Sequence, residues 1–207
     1  MTILRTVAWL MAIVYATIPS YWLLVHPLIR VWRARRARLS RVGPLWMLLW
    51  LAAGAITWPW RQIALYRTPW AWIPAAALIA AGLYLYAGAR TSFSTDQVLG
   101  RSELEPERHE QRLVAHGIRR RVRHPYYLGH FCELLGWSLG TGLAVNYALL
   151  AFAVVTGILM IRAEERELLA RFGDSYREYQ RAVPAFLPKL SAISSQLSAG
   201  DSNKSQN

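Results

Sequence analysis

Cysteine, lysine and acidic residues are all scarce in this chain. One cysteine, Cys132, stands among 207 residues, so no intramolecular disulfide can form and no cluster of Cys and His offers a metal site. Lysine occurs only at Lys189 and Lys204, and the 12 acidic residues face 24 basic ones. Charged residues make up 17% of the chain and hydrophobic ones 54%, more apolar than a soluble domain. There is no Gly-rich strand–turn–helix signature for a nucleotide and no nucleophile elbow. The formal charge of +12 would suit nucleic acid, but the arginines sit in gaps between apolar stretches. There they set membrane topology and can touch anionic lipid headgroups, so nucleic acid is not an expected partner.

What is present is a series of apolar runs close to the roughly 20 residues that cross a bilayer core. The fold expected is all-α and polytopic, with about five transmembrane helices: 3–29, 44–60, 70–89, 126–141 and 143–161. Pro19 permits a kink in the first. The connector from Arg30 to Arg41 is rich in arginine and has no acid, which places it inside and the N-terminus outside. Trp58, Trp60, Tyr66, Trp70 and Trp72 form an aromatic belt at the opposite interface. The last two spans are joined by a tight turn near Gly142 and form an antiparallel hairpin. Gly129, Gly136 and Gly140 offer a small-residue surface for close helix approach. Beyond the last span the helix continues to Phe172, Gly173 stops it, and Asp174 starts a short cytoplasmic helix that Val183–Pro184 ends. Three regions follow: spans in 1–89, a site-bearing region in 90–190, and a disordered polar tail in 191–207. The preference for arginine over lysine points to a bacterial plasma membrane.

Two polar clusters flank the hairpin. Arg123, His124, Pro125, Tyr126 and Tyr127 stand where it enters, and Arg162, Glu164 and Glu165 where it leaves. A hairpin returns the chain to the face it left, so the clusters are expected to meet in one interfacial pocket. Each also has a plainer reading, as interface anchors or as a salt-bridged helix surface. Glu133 lies mid-span, where an ionisable group is costly unless it faces a polar cavity or a partner; His130, one turn earlier, is the nearest candidate.

Gln111-Arg112-Leu113-Val114, Gly117 and Arg123-His124-Pro125-x-Tyr127-x-Gly129 resemble the first signature of the isoprenylcysteine carboxyl methyltransferase superfamily. Glu164-Glu165-x-x-Leu168-x-x-x-Phe172-Gly173-x-x-Tyr176-x-x-Tyr179, with Val183-Pro184 and Pro188, resembles the second. The resemblance covers roughly residues 90 to 188. It implies a membrane-embedded methyltransferase that uses S-adenosylmethionine, with a lipophilic small-molecule or lipid acceptor entering from the bilayer. Carboxylate O-methylation is favoured. By motif position, Leu113, Val114, His124, Pro125, Tyr126, Tyr127 and Glu164 would contact the cofactor. Arg162 and Glu165 are the candidates for catalytic roles, Arg162 by gripping an acidic acceptor. The chain departs from the pattern at Gln111, often His, and at Arg119, where an aromatic is usual. Three other readings stay open: phospholipid or amine N-methylation, a nicotinamide-dependent reductase of the sterol type, and a non-catalytic membrane protein. The reductases share an Arg-His-Pro entrance but carry Asn where Tyr126 stands here.

Overall fold

The computed structural model describes residues 2–34, 39–91 and 113–186. The connector 92–112, the arginines at 35, 36 and 38, and the tail expected to be disordered lie outside the described residues. Seven α-helices are described: α1 (Thr2–Val25), α2 (Ile29–Ala34), α3 (Leu39–Thr57), α4 (Trp72–Arg90), α5 (Pro125–Thr141), α6 (Ala144–Phe172) and α7 (Asp174–Ala182). No strand occurs among the described residues. Three stretches, Ile3–Val25, Pro69–Arg90 and Ala144–Phe172, are long and apolar enough to cross a membrane. The other two expected spans correspond to the apolar helices α3 and α5.

Two expected spans shift: the second lies at Leu39–Thr57 rather than 44–60, and the first is shortened. The first span ends at Val25, not Ile29. Pro27 has no N–H to donate and disfavours helical geometry at His26 before it, so the chain turns there and restarts as α2. The His26 amide still closes on the Trp22 carbonyl at 2.9 Å.

The core is a seam between α1 and α6. Ala8, Ala12 and Ala16 recur every four residues and are completely buried, so one face of α1 is nearly free of side chains and α6 can approach closely. Leu149 and Ala153 pack into that face, and the buried Asn146 donates to the Ala8 carbonyl at 3.5 Å. α3 is tied to α1 by two indole bonds, Trp9 Nε1 to Thr57 Oγ1 at 2.9 Å and Trp46 Nε1 to Thr17 Oγ1 at 3.1 Å. In contrast, α4 touches the bundle along a narrow strip: Ala75, Gly82 and Ala89 are buried, while Ile73, Leu83 and Tyr84 face outward. An outward apolar face is what a bilayer solvates.

The expected α5–α6 hairpin is present. Gly142 turns it at φ +66°, a left-handed conformation that costs glycine little. A Cβ there would lie 2.6 Å from the Tyr66 carbonyl oxygen. The connector between α3 and α4 crosses the same end, with Leu65 N donating to Gly142 O at 2.8 Å and Ala144 N to Ile63 O at 2.9 Å. Both crossings therefore share one end of the bundle. The polar clusters lie at the other.

Candidate functional site

The two polar clusters, some forty residues apart in sequence, meet around one imidazole. His124 is 4% exposed. Its Nε2 lies 3.2 Å from Glu165 Oε1 and its Nδ1 lies 3.5 Å from Glu164 Oε2. A carboxylate can only accept, so the Nε2 contact requires the proton on Nε2 and turns Nδ1 toward Glu164. Glu165 Oε1 also accepts from Arg123 Nε at 3.0 Å and Nη2 at 2.6 Å.

Arg123 does more than neutralise Glu165. Its Nη1 donates to the Gln180 carbonyl at 3.0 Å and to the Val183 carbonyl. The backbone repeats the link, with Arg123 N to Pro184 O at 2.9 Å and His124 N to Ala185 O at 3.1 Å. After α7 breaks at Val183–Pro184, the chain therefore folds back along the start of α5. That brings the Phe186 ring to 6.2 Å from His124 and 6.1 Å from Phe131. One arginine fork thus ties three segments: the entrance to α5, the polar end of α6, and the exit from α7.

α7 forms the floor. Tyr176, Tyr179 and Val183 are buried with Leu113, Leu168, Leu169 and Phe172 against them. The Tyr179 hydroxyl donates to the Arg119 carbonyl at 2.7 Å. Burial holds the Tyr176 phenol above its ordinary pKa, with the Glu165 and Glu164 charges adding to it. Burial likewise raises Tyr179, against the pull of Arg119 and Arg123.

Of the residues singled out from sequence, His124, Pro125, Tyr127, Glu164 and Glu165 come together here, with the Tyr127 ring 6.0 Å from His124. Tyr126 sits at the edge, 6.2 Å from the Tyr86 ring. Leu113 packs into the tyrosine floor and the half-buried Val114 follows it. Arg162 does not join; it is exposed on the outer side of α6. Arg119, a departure from the family pattern, is part of the site instead. Its Nη1 donates to the Arg123 carbonyl at 3.0 Å. Burial draws its pKa down, while Glu164 and the phenols of Tyr179, Tyr127 and Tyr126 act in the opposite direction. Phe186 and the carbonyls of Gln180 and Val183 were not read from the sequence. The Val183–Pro184 break announced a helix end but not the return of the chain.

One polar atom in the site stands apart. Glu164 Oε2 is buried and has no hydrogen-bond partner among the described residues. Such an atom costs free energy until a donor reaches it, about 1–3 kcal/mol. A donor-rich ligand beside it would remove that cost.

These features define a helical membrane protein with a carboxylate–imidazole–tyrosine site at one end of its bundle. The phospholipid methyltransferase family profile matches residues 70–175, half of the 207 residues, and the chain belongs to that family. Protein-S-isoprenylcysteine O-methyltransferase of Schizosaccharomyces pombe is 37% identical over 83 residues, 38% of this chain and 34% of that protein. Methanethiol S-methyltransferase 2 of Bradyrhizobium diazoefficiens is 39% identical over 72 residues, 34% of this chain and 27% of its own length. Delta(14)-sterol reductase TM7SF2 of Mus musculus is 30% identical over 135 residues, 59% and 32% of the two chains. The chain thus spans about a third of the length of these curated relatives. No solved structure matches it.

Proposed function

We propose that this protein is a membrane-embedded methyltransferase that takes its methyl group from S-adenosylmethionine and delivers it to a lipophilic acceptor arriving from the bilayer. The observation that carries this reading is Glu164 Oε2, buried 3.5 Å from His124 Nδ1 and without a hydrogen-bond partner among the described residues. A carboxylate so placed suits the ribose hydroxyls or the amino group of that cofactor. When bound, the cofactor would supply an electrophilic methyl group on a sulfonium centre. Tyr126 and Tyr127 present ring faces that favour a cation. The Arg123–Glu165 pair steadies His124 through Nε2, and Glu164 Oε2 stays open for a donor on the ligand. The returning segment sets the Phe186 ring against His124 and Phe131, an apolar wall beside these contacts.

The names of the relatives carry two different acceptors, an oxygen in one and a sulfur in another, so the acceptor is not inherited by resemblance. The reductase relative supplies the competing cofactor. Titration calorimetry of the detergent-purified protein separates the two. Saturable binding of S-adenosylmethionine, weakened about tenfold or more by Glu164→Gln, is expected. Binding of reduced nicotinamide adenine dinucleotide phosphate instead would move the chain to the reductase class, and an unchanged affinity in Glu164→Gln would remove this site assignment.

A further inference from the structure

Three consecutive arginines, Arg119, Arg120 and Arg121, stand just ahead of α5, and the fold treats them differently. Arg120 and Arg121 are exposed, whereas Arg119 is half-buried in the site. The difference begins in the backbone. Gly117 opens a short 3-10 turn, Gly117–Arg120, at φ +62°, a left-handed conformation that glycine adopts readily. Ile118 then lodges against α4 at Gly88, where a Cβ would lie 2.9 Å from Ile118 Cδ1. The next residue, Arg119, is held at both ends: its carbonyl accepts from the Tyr179 hydroxyl at 2.7 Å, and its Nη1 donates to the Arg123 carbonyl at 3.0 Å. These contacts fix the guanidinium beside the entrance to α5.

A guanidinium keeps its charge at any ordinary pH and offers five N–H donors in a rigid fork. Glu164 of α6 acts on Arg119 as an opposite charge. Yet Glu164 Oε2 has no hydrogen-bond partner among the described residues, so the fork does not bond to that oxygen. The site therefore sets a permanent cation beside Arg123 and an open acceptor beside His124, the next residue in the chain. A ligand group that carries both a carboxylate and an ammonium, the head of an α-amino acid, answers both.

We propose that Arg119 binds the carboxylate at the methionine end of S-adenosylmethionine, whose ammonium donates to Glu164 Oε2. The inference rests on the methyltransferase reading and narrows it: of the two cofactor groups that suit Glu164, the amino group is the one it takes. An arginine fork can meet a carboxylate with two parallel N–H bonds, which an aromatic ring at this position could not supply. The departure from the family pattern at Arg119 thus changes how the cofactor is held. A purely structural Arg119 predicts otherwise, because its loss would disturb the turn and weaken every adenosyl ligand alike.

Calorimetric titration of the detergent-purified full chain tests this with two ligands that differ in the carboxylate, S-adenosylmethionine and decarboxylated S-adenosylmethionine. Wild type should bind the second about tenfold or more weakly, the worth of one charge-assisted hydrogen bond. Arg119→Gln should weaken S-adenosylmethionine by a similar factor and bring the two affinities together. Arg119→Lys should restore part of the difference, since an ammonium still attracts a carboxylate. The wild-type comparison holds even where a variant fails to fold. Equal affinities in wild type, an unchanged ratio in Arg119→Gln, or an equal loss of both ligands there would overturn the assignment and leave the methyltransferase reading in place. Binding of neither compound to wild type would remove both.

Discussion

Replacing Arg123 by alanine should loosen one end of the protein and leave the rest intact. The fork donates to Glu165 twice and to the carbonyls of Gln180 and Val183, with side-chain exposures of only 10% for Arg123 and 21% for Glu165. Removing one partner of such a pair costs about 3–5 kcal/mol. Glu165 keeps its His124 contact, which places the loss near the lower end, about 3 kcal/mol. One decade in an equilibrium constant corresponds to about 1.4 kcal/mol, so residues 174–186 should open about a hundredfold more often. Hydrogen–deuterium exchange in detergent reads this directly, because exchange follows the population of the opened segment. Peptides from 174–186 should exchange about a hundredfold faster, while those from the α1–α6 seam keep their protection. Arg123→Lys should recover little, since a compact ammonium lacks the planar five-donor fork that reaches Glu165 and the two carbonyls of a separate segment together. Wild-type protection of 174–186 in Arg123→Ala would refute the clamp, and equal loss across the whole chain would show that the segment is not a separate unit.

Two further outcomes follow from the packing. Gly142→Ala places a Cβ 2.6 Å from the Tyr66 carbonyl in a left-handed turn, so thermal unfolding in detergent should fall by about 1–3 kcal/mol; an unchanged midpoint would mean that the turn adapts freely. Tyr176 and Tyr179 are held protonated above their ordinary range, chiefly by burial. The folded state thus keeps protons that the unfolded chain releases above about pH 10, and stability falls as pH rises past that point while staying level below it. Above about pH 10 the wild-type unfolding midpoint should fall more steeply than that of Tyr176→Phe, which has no phenol at 176 to ionise, and parallel curves would count against this account.

The local reading of the sequence reached as far as local forces reach. Apolar length and the aromatic belt located the helices, Pro184 marked a break, and Gly142 and Gly173 marked turns. The isoprenylcysteine carboxyl methyltransferase resemblance led to the family that the profile confirms. The break at His26 was missed because one proline was weighed as a kink at Pro19 rather than an end at Pro27; in a membrane span either is tolerated, and neighbours decide which. That the two polar clusters share one face followed from hairpin topology alone.

What the tertiary structure decided is which groups within those clusters touch. His26 on α1 meets Glu167 on α6 at 2.7 Å, a contact 141 residues apart that no spacing announces. Arg119 looked like a missing aromatic and proves to be a half-buried donor, because the fold brings the Arg123 carbonyl and Tyr179 to it. Glu133 could be recognised as costly from its position, but whether His130 satisfied it depended on the approach of α4 at Gly82. The sequence by itself determined the elements, their order and the face where chemistry gathers, since helix length, caps and breaks act over a few residues. Only the packed structure determined which carboxyl groups are paired and which remain open, since a buried hydrogen bond is made or lost over tenths of an ångström between helices far apart in the chain.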